Sequence, residues 1–294
     1  MSIRRILAAL ALETHDDPVV ARATQLAAQH GTRLILVHGN EDANFHDPDL
    51  SAPVDAADLA IILKEDAVRR IRGSAEQYSL AVPVEIFVET GRPDEIIDDQ
   101  ARRNAVDLVV IGAGKARNLR EKVFGSTVDR VVRSASSPVL VVKCPLIDPY
   151  RRIVAAVDFS SQSASAARAA ARIAPAATVE LVHVVEIPLA FEQALRKAGT
   201  AQMEIERYRK AKSLAARSRL REVFKDMGQP PGGPRLRVVQ GDAGAALVRL
   251  SRRRRNNLIA LGATGRHVAA RFLLGSVARK VLLEASCDVL VSPD

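Results

Sequence analysis

Residues 4–10, Arg-Arg-Ile-Leu-Ala-Ala-Leu, recur at residues 151–157 as Arg-Arg-Ile-Val-Ala-Ala-Val. Later landmarks repeat at nearly the same separation, because Gly112 corresponds to Gly262 and Gly125 corresponds to Gly275. Internal repetition is decisive for architecture, since each copy is expected to adopt the same fold. The sequence therefore indicates a tandem duplication, with one domain over residues 1–146 and a second over residues 150–294.

Short apolar segments alternate with helical segments in each half. The first half has predicted strands at residues 6–10, 33–37 and 84–88, with corresponding segments in the second half. Two long charged segments, residues 54–78 and 191–227, are predicted to be helical, and the second is predicted to form a covering helix. Strands that alternate with helices predict an α/β fold, in which a parallel sheet carries helices on both faces.

The composition narrows the classes of function. The chain has 294 residues, of which 48% are hydrophobic and only 3% aromatic, with no tryptophan. Few aromatic rings are available for base stacking, which makes nucleic-acid binding unlikely. No apolar run approaches the ~18 residues of a membrane span, so no membrane partner is expected. The two cysteines, Cys144 and Cys287, have neither disulfide-framework nor zinc-site spacing, which predicts a reducing, cytoplasmic location.

The charge of the chain is unevenly distributed. Residues 1–148 contain 18 basic and 22 acidic side chains, whereas the remaining residues contain 25 basic and 12 acidic ones. The excess positive charge thus lies entirely in the second half. This pattern is compatible with an anionic ligand, an acidic partner or, as the weakest hypothesis, nucleic acid.

The most informative motif is Gly262-Ala-Thr-Gly265, followed after nine residues by Gly275-Ser276. Glycines directly after a strand allow the backbone to approach a ligand closely. Gly275-Ser276 is predicted to begin a helix, where amide donors and the helix dipole favour an anion. Ser276 can cap this helix or donate its hydroxyl to a phosphate. The alternative is a pair of ordinary glycine turns with no ligand.

The motif resembles that of the ATP-binding members of the universal stress protein family, and the resemblance extends over both halves. It implies two Rossmann-like domains of the HUP, or adenine nucleotide alpha hydrolase-like, type, each with a five-stranded sheet of order 3-2-1-4-5. Carried over residue by residue, the resemblance implies nucleotide contacts at Asp158, Val184, Gly262, Gly265, Gly275, Ser276 and Val277. Arg266 is a further candidate from its position, because it could neutralise phosphate charge.

The first half departs from the family motif. Ala11 stands at the position of Asp158, and Lys115 occupies the position of Gly265 because the second glycine comes one residue early, at Gly114. The first domain is therefore predicted to have a degenerate nucleotide motif and the second an intact one. Lys115 can still attract a phosphate, so nucleotide binding by the first half remains an alternative.

The leading hypothesis is a stress-response protein that binds ATP for sensing or regulation. The sequence lacks a phosphate-binding loop of the Gly-x4-Gly-Lys-Ser/Thr type, and no nucleophile is paired with an assignable base, so at most slow ATP hydrolysis is expected. Mg²⁺ can bridge the phosphates. The two domains are expected to pair pseudo-symmetrically, and a homodimer is a further possibility. The alternative is a non-enzymatic protein-interaction scaffold with a vestigial nucleotide site.

Overall fold

A computed structural model of the chain describes residues 3–12, 18–40, 56–78, 82–114, 126–145, 148–187, 189–228, 233, 235–252, 257–265 and 273–293. Internal contacts divide the chain into two compact units, Met1–Pro149 and Tyr150–Asp294, which are called the N-terminal and C-terminal units below. Within the described residues, no helix is both long and apolar enough to cross a bilayer.

The N-terminal unit alternates strands and helices over its described residues. Its elements are β1 (Arg5–Ala9), α1 (Pro18–His30), β2 (Arg33–Asn40), α2 (Ala56–Glu76), β3 (Val84–Thr90), α3 (Pro93–Arg103), β4 (Leu108–Gly112), α4 (Ser126–Ser134) and β5 (Val139–Val142). The strands lie in the order β3-β2-β1-β4-β5, and each neighbouring pair is parallel. The predicted order 3-2-1-4-5 is confirmed in this unit.

The C-terminal unit repeats the plan with one additional helix among its described elements. These are β6 (Arg152–Ala156), α5 (Ser161–Ile173), β7 (Thr178–Val185), α6 (Leu189–Lys197), α7 (Gln202–Asp226), β8 (Arg235–Gln240), α8 (Ala243–Ser251), β9 (Asn257–Gly262), α9 (Ser276–Glu284) and β10 (Asp288–Ser292). Its parallel strands lie in the order β8-β7-β6-β9-β10, which is again 3-2-1-4-5.

Each unit has its core on the two faces of the central strands. Ile6 and Leu7 of β1 and Ile153 and Val154 of β6 are all fully buried. Strands that are covered on both faces are expected to be continuous apolar runs, which is how the repeated segment begins. Alanines of α5 are buried against the sheet, and their small side chains let this helix approach the strands closely. The result is a close-packed scaffold that fixes the strand ends.

The predicted single helix over residues 191–227 is wrong, because the chain forms two helices there. Gly199 ends α6 in the left-handed region, with φ of 80°. Its amide donates to the Arg196 carbonyl at 3.1 Å, and the amide of Thr200 donates to the Leu195 carbonyl at 3.0 Å. Glycine is the residue that ends a helix in this way at least cost, since it has no Cβ to clash.

Candidate functional site

The candidate site lies at the carboxyl ends of β6 and β9 in the C-terminal unit. These two strands pair in parallel, with Ala155 opposite Ala260. The chain leaves β6 for α5 and leaves β9 for α9. In an open parallel sheet, a ligand crevice forms at the point where the strand order reverses, which is between the first and fourth strands of such a unit. The topology alone therefore directs attention to the loops after Ala156 and Gly262.

Asp158 is held in the turn that connects β6 to α5. Its Oδ1 accepts hydrogen bonds from the backbone amide of Ser160 at 2.9 Å and from the Ser160 hydroxyl at 2.5 Å. The same Ser160 oxygen accepts from the amide of Ser163 at 3.2 Å, which makes Ser160 the N-cap of α5. An aspartate that bonds the backbone two residues later stabilises a turn. The carboxylate of Asp158 thus has a fixed direction.

The turn also contains a strained residue, Phe159, whose φ is 68°. The centroid of its ring lies 4.4 Å from that of His183, and the guanidinium carbon of Arg219 lies 4.0 Å from the Phe159 centroid. His183 Nδ1 is 2.7 Å from the carbonyl oxygen of Val157 and must donate, because a carbonyl only accepts. Side chains from β7 and α7 therefore hold the turn that carries Asp158.

Gly262 is the last residue of β9, and the close approach of α5 explains why a glycine stands there. A Cβ built on Gly262 would lie 2.8 Å from the Cβ of Gln162 and 3.2 Å from the carbonyl carbon of the same residue. Real Cβ atoms essentially never approach another heavy atom this closely, so only glycine lets α5 pack against the end of β9. Gly262 shapes the site because it brings α5 to the strand end.

Gly265 and Gly275 bring the loop after β9 to Asp158. A Cβ built on Gly265 would lie 3.5 Å from Asp158 Oδ2, and one built on Gly275 would lie 3.6 Å from the amide nitrogen of Gly265. The amide of Gly275 donates to the carbonyl of Ala263 at 2.8 Å. Neither glycine has a positive φ, so backbone conformation does not demand glycine at these positions. The structure therefore brings Asp158, Gly265 and Gly275 together.

The first turn of α9 begins directly after Gly275. Gly275 is the N-cap, with φ of −63° and ψ of 151°, and no side chain caps this end. Of the two roles predicted for Ser276, capping the helix is wrong because Ser276 is its first residue, and donation to a phosphate remains a prediction. The amides of Ser276 and Val277 belong to the first turn, where helix geometry supplies no intrahelical acceptor. This end of α9 is therefore chemically suited to an anion.

The remaining predicted residues have mixed outcomes. Val184 is half-buried on β7, the strand that pairs with β6. Arg266 lies outside the described residues. The sequence analysis missed Thr264, whose Oγ1 is buried and has no hydrogen-bond partner among the described residues. The available sequence signal was a hydroxyl side chain between Gly262 and Gly265, but a threonine in a loop does not by itself indicate a binding residue.

The N-terminal unit retains the same turn at the end of β1. Leu12 has φ of 55°, and His38 Nδ1 lies 2.8 Å from the Leu10 carbonyl. Arg70 of α2 donates to the carbonyl of Leu12. Burial lowers the pKa of His38 below its usual value, with a smaller lowering from the charge of Arg70, while the hydrogen bond to Leu10 acts in the opposite direction. The turn is retained although the acid is replaced by Ala11.

A further difference between the units concerns Val184. His38 pairs with Val88 and Gly39 with Glu89, whereas His183 pairs with Val238 and Val184 with Val239. Gly39 therefore occupies the position of Val184. A Cβ built on Gly39 would lie 2.8 Å from the Cα of Pro93, at the first turn of α3. The backbone of α3 thus leaves no room in the N-terminal unit for the valine side chain.

Comparison with known proteins places the chain in a family. The sequence model described as "Universal stress protein family" matches residues 2–143 and again residues 149–293. The chain belongs to the universal stress protein family. A relative, universal stress protein A homolog 2 of Coxiella burnetii, is 32% identical over 143 residues, which cover 48% of this chain and 94% of that protein. Universal stress protein MJ0531 of Methanocaldococcus jannaschii is 31% identical over 90 residues, covering 30% of this chain and about half of that protein (52%).

Solved structures share the fold over the whole chain. A universal stress protein from Archaeoglobus fulgidus matches with a TM-score of 0.68 at 15% identity, covering 98% of each chain. A functionally unknown protein from Pseudomonas aeruginosa, PA1789, matches with a TM-score of 0.62 at 18% identity, covering 99% of this chain and 92% of that one. At these identities the likeness establishes the fold, and it supports the tandem arrangement of two universal stress protein repeats.

Proposed function

We propose that the C-terminal unit binds ATP and that the protein acts in sensing or regulation rather than in fast catalysis. The observation that carries the proposal is the convergence of Asp158, Gly265 and Gly275 at the carboxyl ends of β6 and β9. This is the place where parallel α/β sheets bind ligands. Membership of the universal stress protein family makes an adenine nucleotide the natural ligand class to test.

The fit to a nucleotide rests on the space beside Gly265. Glycine is not required there by its φ, and a Cβ would extend toward Asp158 Oδ2, 3.5 Å away. A side chain at this position would therefore fill the gap between the loop and the acid. A glycine that neither the backbone conformation nor a close packing contact requires leaves the Asp158 carboxylate uncovered, which is what a ligand bound to this carboxylate needs.

The chain offers distinct groups for the two ends of the ligand. Asp158 is a hydrogen-bond acceptor for a ribose hydroxyl or an adenine amine, and Val184 supplies an apolar contact for the base. The amides of Ser276 and Val277 and the Ser276 hydroxyl are donors for phosphate oxygens. Thr264 Oγ1, which is buried and without a hydrogen-bond partner in the described part of the chain, is a further donor. Arg266 remains a candidate to neutralise phosphate charge.

The same residues argue for binding rather than for rapid hydrolysis. His183 donates through Nδ1 to the Val157 carbonyl, and Asp158 Oδ1 accepts two hydrogen bonds from Ser160, so each has a structural task. Among the described residues there is no group of three or more histidine, cysteine or acidic side chains that could hold a metal ion. Mg²⁺ would therefore be bound chiefly through the phosphates of ATP and water, as this ion commonly is.

The experiment is a titration of the purified full-length chain with ATP by calorimetry, preceded by mass spectrometry of any small molecule that it releases. Gly265→Val should weaken ATP affinity by about a hundredfold or more, because its side chain fills the gap beside Asp158. Lys115→Val is the matched control at the equivalent sequence position and should leave the affinity within about twofold. ATP binding that is equally sensitive to both changes would contradict the assignment to the C-terminal unit.

A protein-interaction scaffold with a vestigial site is the second candidate. The observation in its favour is that the Gly275 amide and Asp158 Oδ1 already bond within the protein, so both residues have a structural role without a ligand. This candidate predicts no measurable heat with ATP and no nucleotide released from the purified chain. It also predicts that Gly265→Val leaves the protein unchanged.

A further inference from the structure

We propose that Arg219 is a positioning residue of the candidate nucleotide site, which holds the Phe159 turn and thereby the direction of the Asp158 carboxylate. The inference rests on the proposed function, because it assigns a role toward the same ligand. Arg219 belongs to α7, a helix that packs over β7 and β8 at a distance in sequence from every motif residue. Its charged group nevertheless lies 4.0 Å from the centre of the Phe159 ring.

The turn needs such support because Phe159 is strained. A bulky aromatic residue with φ of 68° adopts a conformation that L-residues rarely occupy. Strain of this kind persists only where the surrounding structure holds the residue, and it is commonly found at functional sites. His183 from β7 and Arg219 from α7 both contact the Phe159 ring. The Arg219 contact is a cation–π interaction, which stabilises the ring in this place.

The turn transmits its conformation directly to Asp158. Phe159 lies between Asp158 and Ser160, and both hydrogen bonds from Ser160 end on Asp158 Oδ1. If Phe159 relaxed to an ordinary negative φ, the amide of Ser160 would turn away from the carboxylate. The other carboxylate oxygen would then lose its position opposite Gly265. Arg219 therefore acts on the ligand through Asp158 and not by direct contact with the ligand.

The N-terminal unit provides the internal comparison. There Arg70 of α2 also reaches the turn, but it donates to the carbonyl of Leu12 and the acid is absent at Ala11. The strained turn is thus part of the fold in both units. Among the residues that the structure describes, only the turn of the C-terminal unit carries a carboxylate, that of Asp158, so the loss of its supporting arginine should affect a ligand there.

The test measures ATP affinity by calorimetry in five full-length variants, one of which is Asp158→Ala, the reference for the double variant. Arg219→Ala should weaken binding about fivefold, and Arg219→Lys, which keeps a cation over the ring, should restore most of the loss. Arg70→Ala, the matched control, should bind ATP as the wild type does. When Asp158→Ala is already present, Arg219→Ala should cause no further loss, because the effect passes through that carboxylate.

Hydrogen exchange of the ligand-free protein gives an independent readout. Arg219→Ala should accelerate exchange of the Ser160 amide, whereas Arg70→Ala should not. Unchanged exchange in Arg219→Ala, or an ATP affinity equal to that of the wild type, would overturn the inference. A wild-type chain that binds no ATP would refute the proposed function instead, and the exchange of the Ser160 amide would still decide whether Arg219 holds the turn.

Discussion

The two units of this protein share a plan but differ in the features that a ligand would need. Both units have a left-handed residue after the first strand, Leu12 or Phe159. In both, a histidine of the second strand contacts the carbonyl oxygen two residues before that left-handed residue, and an arginine from the covering helix reaches the turn. The N-terminal unit has Ala11 in place of Asp158 and Gly39 in place of Val184. Features kept in both units therefore belong to the fold, and those confined to one unit are the candidates for function.

A second comparison concerns the helices that flank the fourth strand. In the N-terminal unit, Arg130 of α4 pairs with the buried Asp94 of α3 at 3.1 Å. In the C-terminal unit, Lys280 of α9 pairs with Asp242, directly before α8, also at 3.1 Å. The acid has moved by two residues while the cation keeps its place in the repeat. Such a contact joins the two helices in each unit.

The largest effect on ATP affinity is expected from substitution of Gly275, compared with the same substitution of its counterpart Gly125. A Cβ on Gly275 points toward the loop backbone, 3.4 Å from the Ala263 oxygen and 3.6 Å from the Gly265 nitrogen. Gly275→Leu should therefore push this loop away from Asp158 and weaken ATP affinity by about a hundredfold or more. Gly125→Leu should change it less than about twofold. Calorimetric titration of both full-length variants measures the difference.

Folding has to be separated from binding in this experiment. Gly275 has an ordinary φ of −63°, so Gly275→Ala introduces no backbone strain and should unfold at nearly the wild-type temperature. This variant should still bind ATP, but more weakly than the wild type. An equal loss of affinity in Gly275→Leu and Gly125→Leu would show that the units do not differ in the way proposed.

The second expected effect concerns stability and contrasts Gly262 with Gly112. A Cβ on Gly262 would meet the backbone of Gln162 at 3.2 Å, whereas the contact of one on Gly112 within the described part of the chain is with the end of the Val19 side chain, at 3.3 Å. Gly262→Ala should cost about 1–3 kcal/mol of unfolding free energy, as overpacking commonly does. Gly112→Ala should cost less, because a side chain can move. Urea unfolding measures the loss of stability in each variant, and hydrogen exchange under native conditions shows which of the two units is destabilised.

The sequence predicted the fold well because the fold depends on repeated and periodic features. The apolar runs at residues 6–10 and 153–157 and the regular alternation of elements were enough to predict a parallel α/β sheet, whereas the strand order 3-2-1-4-5 came from the resemblance to the universal stress protein family. The break at Gly199 was missed because a single glycine within a charged helical segment is ambiguous until its φ is known. Local helix signals do not reveal where a glycine adopts the left-handed conformation.

The site was predicted less completely, for a physical reason. Glycine spacing identified Gly262, Gly265 and Gly275, but not that Gly262 is required by the approach of α5. The contact of Arg219 with Phe159 joins residues that are distant in sequence, and no local pattern encodes it. The replacement of Val184 by Gly39 became clear only from the strand register, because the two halves differ in spacing between the first and second strands.

A smaller effect is expected at Asp242, which caps α8. Its side chain accepts from the Ala245 amide at 2.7 Å, and this bond, followed by the one from Lys280, lowers the pKa of the carboxyl. Asp242→Ala should destabilise the C-terminal unit by about 1 kcal/mol, which is typical for the loss of an N-cap. Asp242→Asn keeps an acceptor and should cost less. Thermal unfolding and the exchange of amides in α8 report the loss.

The pH dependence gives a second check on Asp242. Because its pKa in the folded state is below the unfolded value of 3.8, its contribution is present at neutral pH and is lost as the pH falls through the folded value. The wild type and Asp242→Asn should therefore converge in stability in strong acid. A difference that persists there would show that the charge of Asp242 is not responsible.

The smallest expected effect is a pH dependence of the N-terminal unit that arises from His38. Its pKa is lowered from 6.5, first by burial and then by the charge of Arg70, although the hydrogen bond to Leu10 opposes this. The unfolded chain therefore binds more protons than the folded unit just below pH 6.5, so the stability that His38 contributes is full above that pH and decreases on acidification. His38→Asn removes the titration. Unfolding in urea between pH 7.5 and 5 should show a steeper loss for the wild type than for the variant, and parallel curves would rule out His38 as the cause.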